Sequence, residues 1–139
     1  LLTWMSETES AVFVIATANA IDKLPAELLR KGRFDEIFFL DLPNAEERTS
    51  ILNLHLKKRR PSYDFPLTTI IDRTDGYSGA ELEQAVIEGM HFSFTEEREL
   101  MEKDLIKAVS ELVPLSRTAK EQIDLLKEWS STGRARSAS

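Results

Sequence analysis

Residues 11–17, Ala-Val-Phe-Val-Ile-Ala-Thr, form an uninterrupted apolar run rich in β-branched side chains. A strand with one wet face alternates polar and apolar positions, whereas a run without alternation reads as a strand buried on both faces, as inside a parallel sheet. That feature commits the chain to part of an α/β layer. A second run, Ile37-Phe38-Phe39-Leu40 with Leu42, is closed by Pro43 and predicts another strand. Between them the pattern predicts a short amphipathic helix from about Pro25 to Leu29. Pro25 sits in its first turn, where a missing N–H costs nothing, and Gly32 ends it.

From Asn44 onward the periodicity is helical. Gly and Pro number five each, about 7% of the residues against a usual total of roughly 12%, so few turns interrupt long elements. A helix over 45–58 places Ile51, Leu52, Leu54 and His55 among charges, and Lys57-Lys58-Arg59-Arg60 suits a helix C-terminus before Pro61 stops it. A short helix near Leu67 to Thr74 runs into the Asp75-Gly76-Tyr77 turn. Ser78 and Glu81 then have capping-box spacing, ahead of a helix that turns Leu82, Ala85, Val86 and Met90 inward. Further helices fit Leu100 to Val113 and Thr118 to Trp129, the latter with a second box at Thr118 and Glu121. Residues 130–139 have no apolar face and are expected to be a flexible tail.

Composition removes several chemistries. With no Cys and two His far apart in the sequence, a disulfide framework, a thiol nucleophile and a thiolate zinc site are excluded, and no metal site is expected from this chain alone. The net charge is −6, and residues 1–60 are balanced at nine basic and nine acidic side chains. Residues 61–139 hold nine basic and fifteen acidic. An acidic helical half repels phosphate backbones, so no nucleic-acid partner is predicted. No apolar run reaches the roughly 18 residues of a membrane span, and no charged leader precedes one, so no membrane partner is expected. Leu1-Leu2-Thr3-Trp4-Met5 reads as the end of a helix whose beginning is missing, which suggests a fragment.

A few residues are candidates for chemistry. Asn19 follows the carboxyl end of the first strand, where open α/β sheets bind ligands, and its amide can donate to a phosphate and orient a water; a turn-capping residue is the competing reading. Arg30 and Arg33 are three apart at a helix end, so their guanidinium groups can project together onto charge spreading over a phosphoryl group, or simply form a solvated basic end. His55 is either an interfacial core histidine or a ligand contact. Gly79 either serves the tight start of a capped helix or leaves room for something outside it.

The stretches Val12-Phe13-Val14-Ile15-Ala16-Thr17-Ala18-Asn19, Leu24-Pro25-Ala26-Glu27-Leu28-Leu29-Arg30-Lys31-Gly32-Arg33-Phe34-Asp35 and Gly76-Tyr77-Ser78-Gly79-Ala80-Glu81-Leu82 strongly resemble, in order and spacing, an AAA family ATPase from its sensor-1 strand through the second region of homology to the helical lid. The resemblance covers about Leu1 to Leu112. A narrower likeness, through Pro114-Leu115-Ser116 and Gly133-Arg134-Ala135-Arg136, is to the poorly characterised AAA proteins of cyanobacteria and plastid genomes.

The resemblance implies an α/β remnant of a P-loop AAA domain, with two parallel strands and helices, followed by an all-α lid, the chain being mostly helical. Residues 1–43 would be the C-terminal portion of the α/β nucleotide-binding subdomain and 44–113 the lid, with a C-terminal helix over 114–129 and the tail at 130–139. It implies that Asn19 is sensor 1, that Arg30 and Arg33 are arginine fingers offered to a neighbouring subunit, that His55 packs beside adenine and ribose, and that Gly79 and Ala80 let adenine approach the helix backbone. The implied cofactors are ATP and Mg²⁺, held through a part absent from this sequence. The implied partners are homo-oligomeric ring neighbours, with a hexamer expected, and an unknown protein substrate to be remodelled. The implied location is the cytoplasm or the plastid stroma.

What the sequence lacks is equally specific. A phosphate loop needs Gly-x-x-x-x-Gly-Lys and then Ser or Thr, because backbone amides cradle the phosphates while the Lys reaches the outermost ones. No Gly here is followed by Lys. The Mg²⁺-holding motif should be an apolar strand ending in Asp-Glu, and the only such pair, Asp35-Glu36, follows Arg33-Phe34 instead. The isolated chain is therefore expected not to hydrolyse ATP. In the family's sheet the strand bearing the phosphate loop lies between the two strands found here, so their edges are expected to be unpaired. The rival reading is a stand-alone helical interaction module, residues 44–129, without ATPase activity.

Overall fold

The computed structural model describes residues 12–18, 23–25 and 34–138. The chain divides into two compact units, residues 42–120 and a second formed by Leu1–Asp41 with Glu121–Ser139. Within the first lie α1 (Ala45–Arg59), α2 (Thr68–Arg73), α3 (Gly79–Thr95), α4 (Glu102–Glu111) and the single turn α5 (Leu115–Thr118). Their ends are set by local chemistry. Asn44 Oδ1 accepts from the Glu47 amide at 3.0 Å while the Glu47 carboxylate accepts from the Asn44 amide at 2.8 Å, satisfying two of the free amides at the start of α1. At its other end the basic Lys57, Lys58 and Arg59 occupy the last turn, and Pro61 follows. Gly76 turns the chain at φ +79, and Ser78 with Glu81 forms the expected box at α3.

The core of this unit draws Leu52 and Leu56 from α1, Ile70 and Ile71 from α2, Leu82, Ala85 and Val86 from α3, and Leu105, Ala108 and Val109 from α4. Each large aliphatic side chain taken wholly out of water stabilises by about 1.5–3 kcal/mol. Met90 is partly buried, packed against this cluster rather than inside it. Gly89 permits the close approach of α3 to α4, since a Cβ there would lie 2.9 Å from Leu105 Cδ2. Arg98 grips the buried Asp104 through two bonds of 2.6 and 2.7 Å, and that carboxylate also accepts from the Met101 amide at 2.9 Å. The Arg98 guanidinium holds the Asp104 carboxyl below the usual carboxylate range.

In the second unit, β1 (Phe38–Phe39) pairs in parallel with β2 (Arg136–Ser137). The chain is thus mostly helical with two parallel strands, as expected, but the second strand is residues 136–137 rather than the run at 11–17. Residues 12–18 adopt no regular secondary structure, and Phe13 is 89% exposed. An apolar run becomes a buried strand only when neighbours supply ladder hydrogen bonds and cover both faces. The expected free edge beside Phe38 and Phe39 is also filled: the Arg136 amide donates to the Ile37 carbonyl at 2.8 Å and the Ala138 amide to the Phe39 carbonyl at 3.0 Å.

A π-helical turn, Ser130–Arg134, passes through Gly133 at φ +75 and leads into β2. The helix before it, α6 (Lys120–Trp129), starts without the expected Thr118–Glu121 box. The Thr118 hydroxyl instead donates to the Leu115 carbonyl at 3.4 Å, closing the α5 turn. Among the described residues no helix is long and apolar enough to cross a membrane.

Candidate functional site

Of the six candidate residues, Asn19, Arg30 and Arg33 lie outside the described residues. His55, Gly79 and Ala80 fall on two helices of one unit, and the fold brings the faces of His55 and Gly79 together. Helical spacing puts Ile51, His55 and Arg59 on one face of α1, and Gly79 and Glu83 on one face of α3. Those faces meet. A Cβ built on Gly79 would lie 3.7 Å from Ile51 Cδ1, and one turn along Glu83 Oε1 is 3.4 Å from His55 Nδ1 and 2.6 Å from Arg59 Nη2.

Arg59 organises this edge. One of its nitrogens donates to Glu83, and another lies 3.1 Å from His55 Nδ1. His55 Nδ1 thus faces a donor, the Arg59 guanidinium, and an acceptor, the Glu83 carboxylate 3.4 Å away. Among the described residues Nε2 has no hydrogen-bond partner, which leaves one nitrogen of a half-buried imidazole available to a ligand. The Arg59 hydrogen bond, with smaller contributions from nearby positive charge, lowers the Glu83 pKa against a weaker opposing effect of burial. Sequence reasoning missed both Arg59 and Glu83. Arg59 was legible as the residue four after His55; Glu83 required knowing which helix faces which.

The start of α3 is half open. Gly79 is half-buried, Ala80 is exposed, and Gly79 does not need its missing side chain for internal reasons, since 3.7 Å is ordinary van der Waals contact. Helical amides at the first turn point outward with a partial positive charge. The arrangement can therefore accept a flat group against the α3 backbone, with a histidine ring nitrogen one helix away. It offers no cluster of cations for a triphosphate, and none of its three residues lines a cleft of about 570 Å³ among Tyr63, Phe65, Leu100 and Met101.

A model of the "ATPase family associated with various cellular activities (AAA)" matches residues 1–42. An uncharacterized AAA domain-containing protein, ycf46, from Pyropia yezoensis is 53% identical over 142 residues, covering 99% of this chain and 28% of that relative. The corresponding ycf46 protein of Guillardia theta is 46% identical over 142 residues, again 99% of this chain and 28% of the relative. An ATP-dependent zinc metalloprotease, FtsH, from Mesomycoplasma conjunctivae is 36% identical over 105 residues, covering 75% of this chain and 14% of the protease. The chain thus spans less than a third of the length of these curated relatives.

Proposed function

The chain belongs to the AAA family of ATPases, and from that premise we propose that it supplies the sensor, the trans-acting arginines and the lid of an ATP-driven remodelling machine. In this reading the polypeptide that carries it binds ATP with Mg²⁺ between an α/β subdomain and the helical unit, at the boundaries of a homo-oligomeric ring of six subunits. The cycle remodels a protein partner, in the cytoplasm or the plastid stroma. When bound, ATP supplies the phosphoanhydride whose hydrolysis drives the motion.

The residues present fit the base and ribose end of such a nucleotide. Gly79 leaves the α3 backbone uncovered and Ala80 adds only a methyl group, so a planar base can approach there. His55 Nε2 can share a hydrogen bond with a ribose hydroxyl, which both donates and accepts. Triphosphate and Mg²⁺ are a different matter, because the sequence has neither a Gly-Lys phosphate loop nor an apolar strand ending in Asp-Glu. Asn19 is assigned to orient the attacking water and sense the terminal phosphate, and Arg30 and Arg33 to reach into the neighbouring subunit's nucleotide. Their two positive charges neutralise a transferring phosphoryl group most strongly when its charge is most dispersed.

The observation that carries the proposal is the meeting of the His55 face of α1 with the Gly79 face of α3, with exposed Ala80 next in the chain. Packing alone does not ask for glycine at that edge. The test is Arg33→Ala in the assembled ATPase. An arginine finger contributes about 10³ to 10⁵ in rate, equivalent to about 4 to 7 kcal/mol. Turnover should be abolished while nucleotide binding stays nearly intact; equal loss of both refutes the finger role. The rival reading, a helical interaction module over residues 44–129, predicts the same packing and no response to nucleotide.

A further inference from the structure

The turn that presents Gly79 and Ala80 is fastened from behind at three points by the end of α4 and the segment that follows it. The Tyr77 hydroxyl lies 2.8 Å from the Val109 carbonyl and 2.9 Å from that of Leu112, so one O–H is shared between the last carbonyls of α4. Gly76, at φ +79, passes so close to Ser116 that a Cβ would lie 2.6 Å from its Oγ. Glu81 makes the third link and spans both sides. Its Oε2 accepts from the Ser78 amide at 2.7 Å and the Ser78 hydroxyl at 2.8 Å, while its Oε1 accepts from the Leu115 amide at 2.5 Å. A capping box requires only the Ser78 side of this arrangement.

We propose that Glu81 is a positioning residue for nucleotide, tying the turn at 114–116 to the start of α3 so that the Gly79–Ala80 backbone is held at the depth a base requires. This rests on the reading that Gly79 and Ala80 face adenine. Glu81 points to the rear of that turn and does not touch the base itself. Its carboxylate freezes the two φ/ψ-defining residues at the helix start against a segment more than thirty positions away. A charge-assisted bond is shorter and stiffer than a neutral one, which suits this task. The same link makes the chain beyond Leu115 mechanically continuous with the base-facing turn, so that displacing residues 114–118 loosens nucleotide binding.

Leu115→Pro isolates the link. Proline at the first position of a helical turn removes an N–H without straining the turn, Pro114 already has the extended φ −67 and ψ 146 that a residue before proline adopts, and the Leu115 side chain is 54% exposed. Glu81→Asp provides a second variant, since one methylene fewer reaches Ser78 but not Leu115. Steady-state ATP hydrolysis by the assembled ATPase should show KM raised about three- to tenfold in both, as expected for losing part of one charge-assisted bond. Saturated turnover should be unchanged, and Leu115→Pro should leave the thermal midpoint within about 2 °C of the parent. Gly79→Val, which fills the base-facing side directly, is the control. If Gly79→Val abolishes nucleotide binding while Leu115→Pro keeps the parental KM, the link is refuted and the adenine reading stands. If Gly79→Val binds ATP normally, the adenine reading falls and the proposal falls with it. Should Glu81→Asp fail to fold, Leu115→Pro alone decides.

Discussion

Replacing Gly79 by alanine separates a packing role from a binding role, because the two predict opposite signs. Gly79 is the first residue of α3 and does not have a positive φ, so an alanine adopts its backbone without strain. The added Cβ meets Ile51 Cδ1 at 3.7 Å, ordinary contact, and nothing nearer. A glycine replaced under those conditions restricts the unfolded chain and stabilises by about 0.4–1 kcal/mol. For a unit of this size that raises the thermal midpoint by about 2 to 8 °C. Nucleotide affinity should move the other way. A methyl group inserted into the space between a base and the helix backbone overpacks it by about 1–3 kcal/mol, or roughly a five- to hundredfold weaker ATP complex.

Gly89→Ala is the internal control for that reasoning. There the new Cβ would lie 2.9 Å from Leu105 Cδ2 and 3.4 Å from backbone atoms of Asp104 and Leu105, inside the packed core. Overpacking exceeds the helix-propensity gain, so the midpoint should fall, with a net cost of about 1 kcal/mol. Calorimetric melting measures both changes, and titration of the assembled ATPase with ATP measures the affinity. A lower midpoint for Gly79→Ala would refute the statement that packing leaves this position free. A higher midpoint with unaltered ATP affinity would refute the placement of adenine there.

Asp104→Asn should cost about 2–3 kcal/mol, read by urea denaturation. Three N–H groups from Arg98 and Met101 converge on two carboxylate oxygens, and an amide would turn an NH₂ toward at least one of them; a change under 0.5 kcal/mol would sink this account. The same pair predicts acid sensitivity. Because the folded-state pKa of Asp104 is depressed, its stabilisation is fully present above the unfolded value of about 3.9 and disappears as pH falls through the lower folded value. The parent should lose more stability than Arg98→Met between pH 5 and pH 2, both figures being about the range in which carboxylates titrate, and parallel curves would contradict it. Glu83→Gln should weaken the Arg59 contact and free the guanidinium beside His55, giving altered His55 imidazole resonances by NMR with the helices intact; unchanged resonances would show that the Arg59–Glu83 bond does not orient the ring.

Much of the helical unit was legible because its signals are short-range. Ser78 and Glu81, three residues apart, set the start of α3, Pro61 follows the end of α1, and Leu82, Ala85 and Val86 declared the buried face by period alone. The box at Asn44 and Glu47 has the same spacing and was equally readable. Thr118 and Glu121 show the limit, since identical spacing makes no box where Thr118 already lies inside the helical turn Leu115–Thr118 and the next helix starts only at Lys120.

A chain determines by itself which of its segments can coil, because each turn closes its hydrogen bonds among neighbours four residues apart. It does not determine in that way who lies beside an extended segment. Residues 12–18 carry the composition of a buried strand and form none, while Phe38 and Phe39 find their ladder partner almost a hundred positions away in residues 136 and 137. The second carboxylate oxygen of Glu81 and the pairing of Arg59 with Glu83 belong to the same class. Those contacts join groups whose separation along the chain says nothing of their separation in space, so only the packing of one helix against another could bring them together.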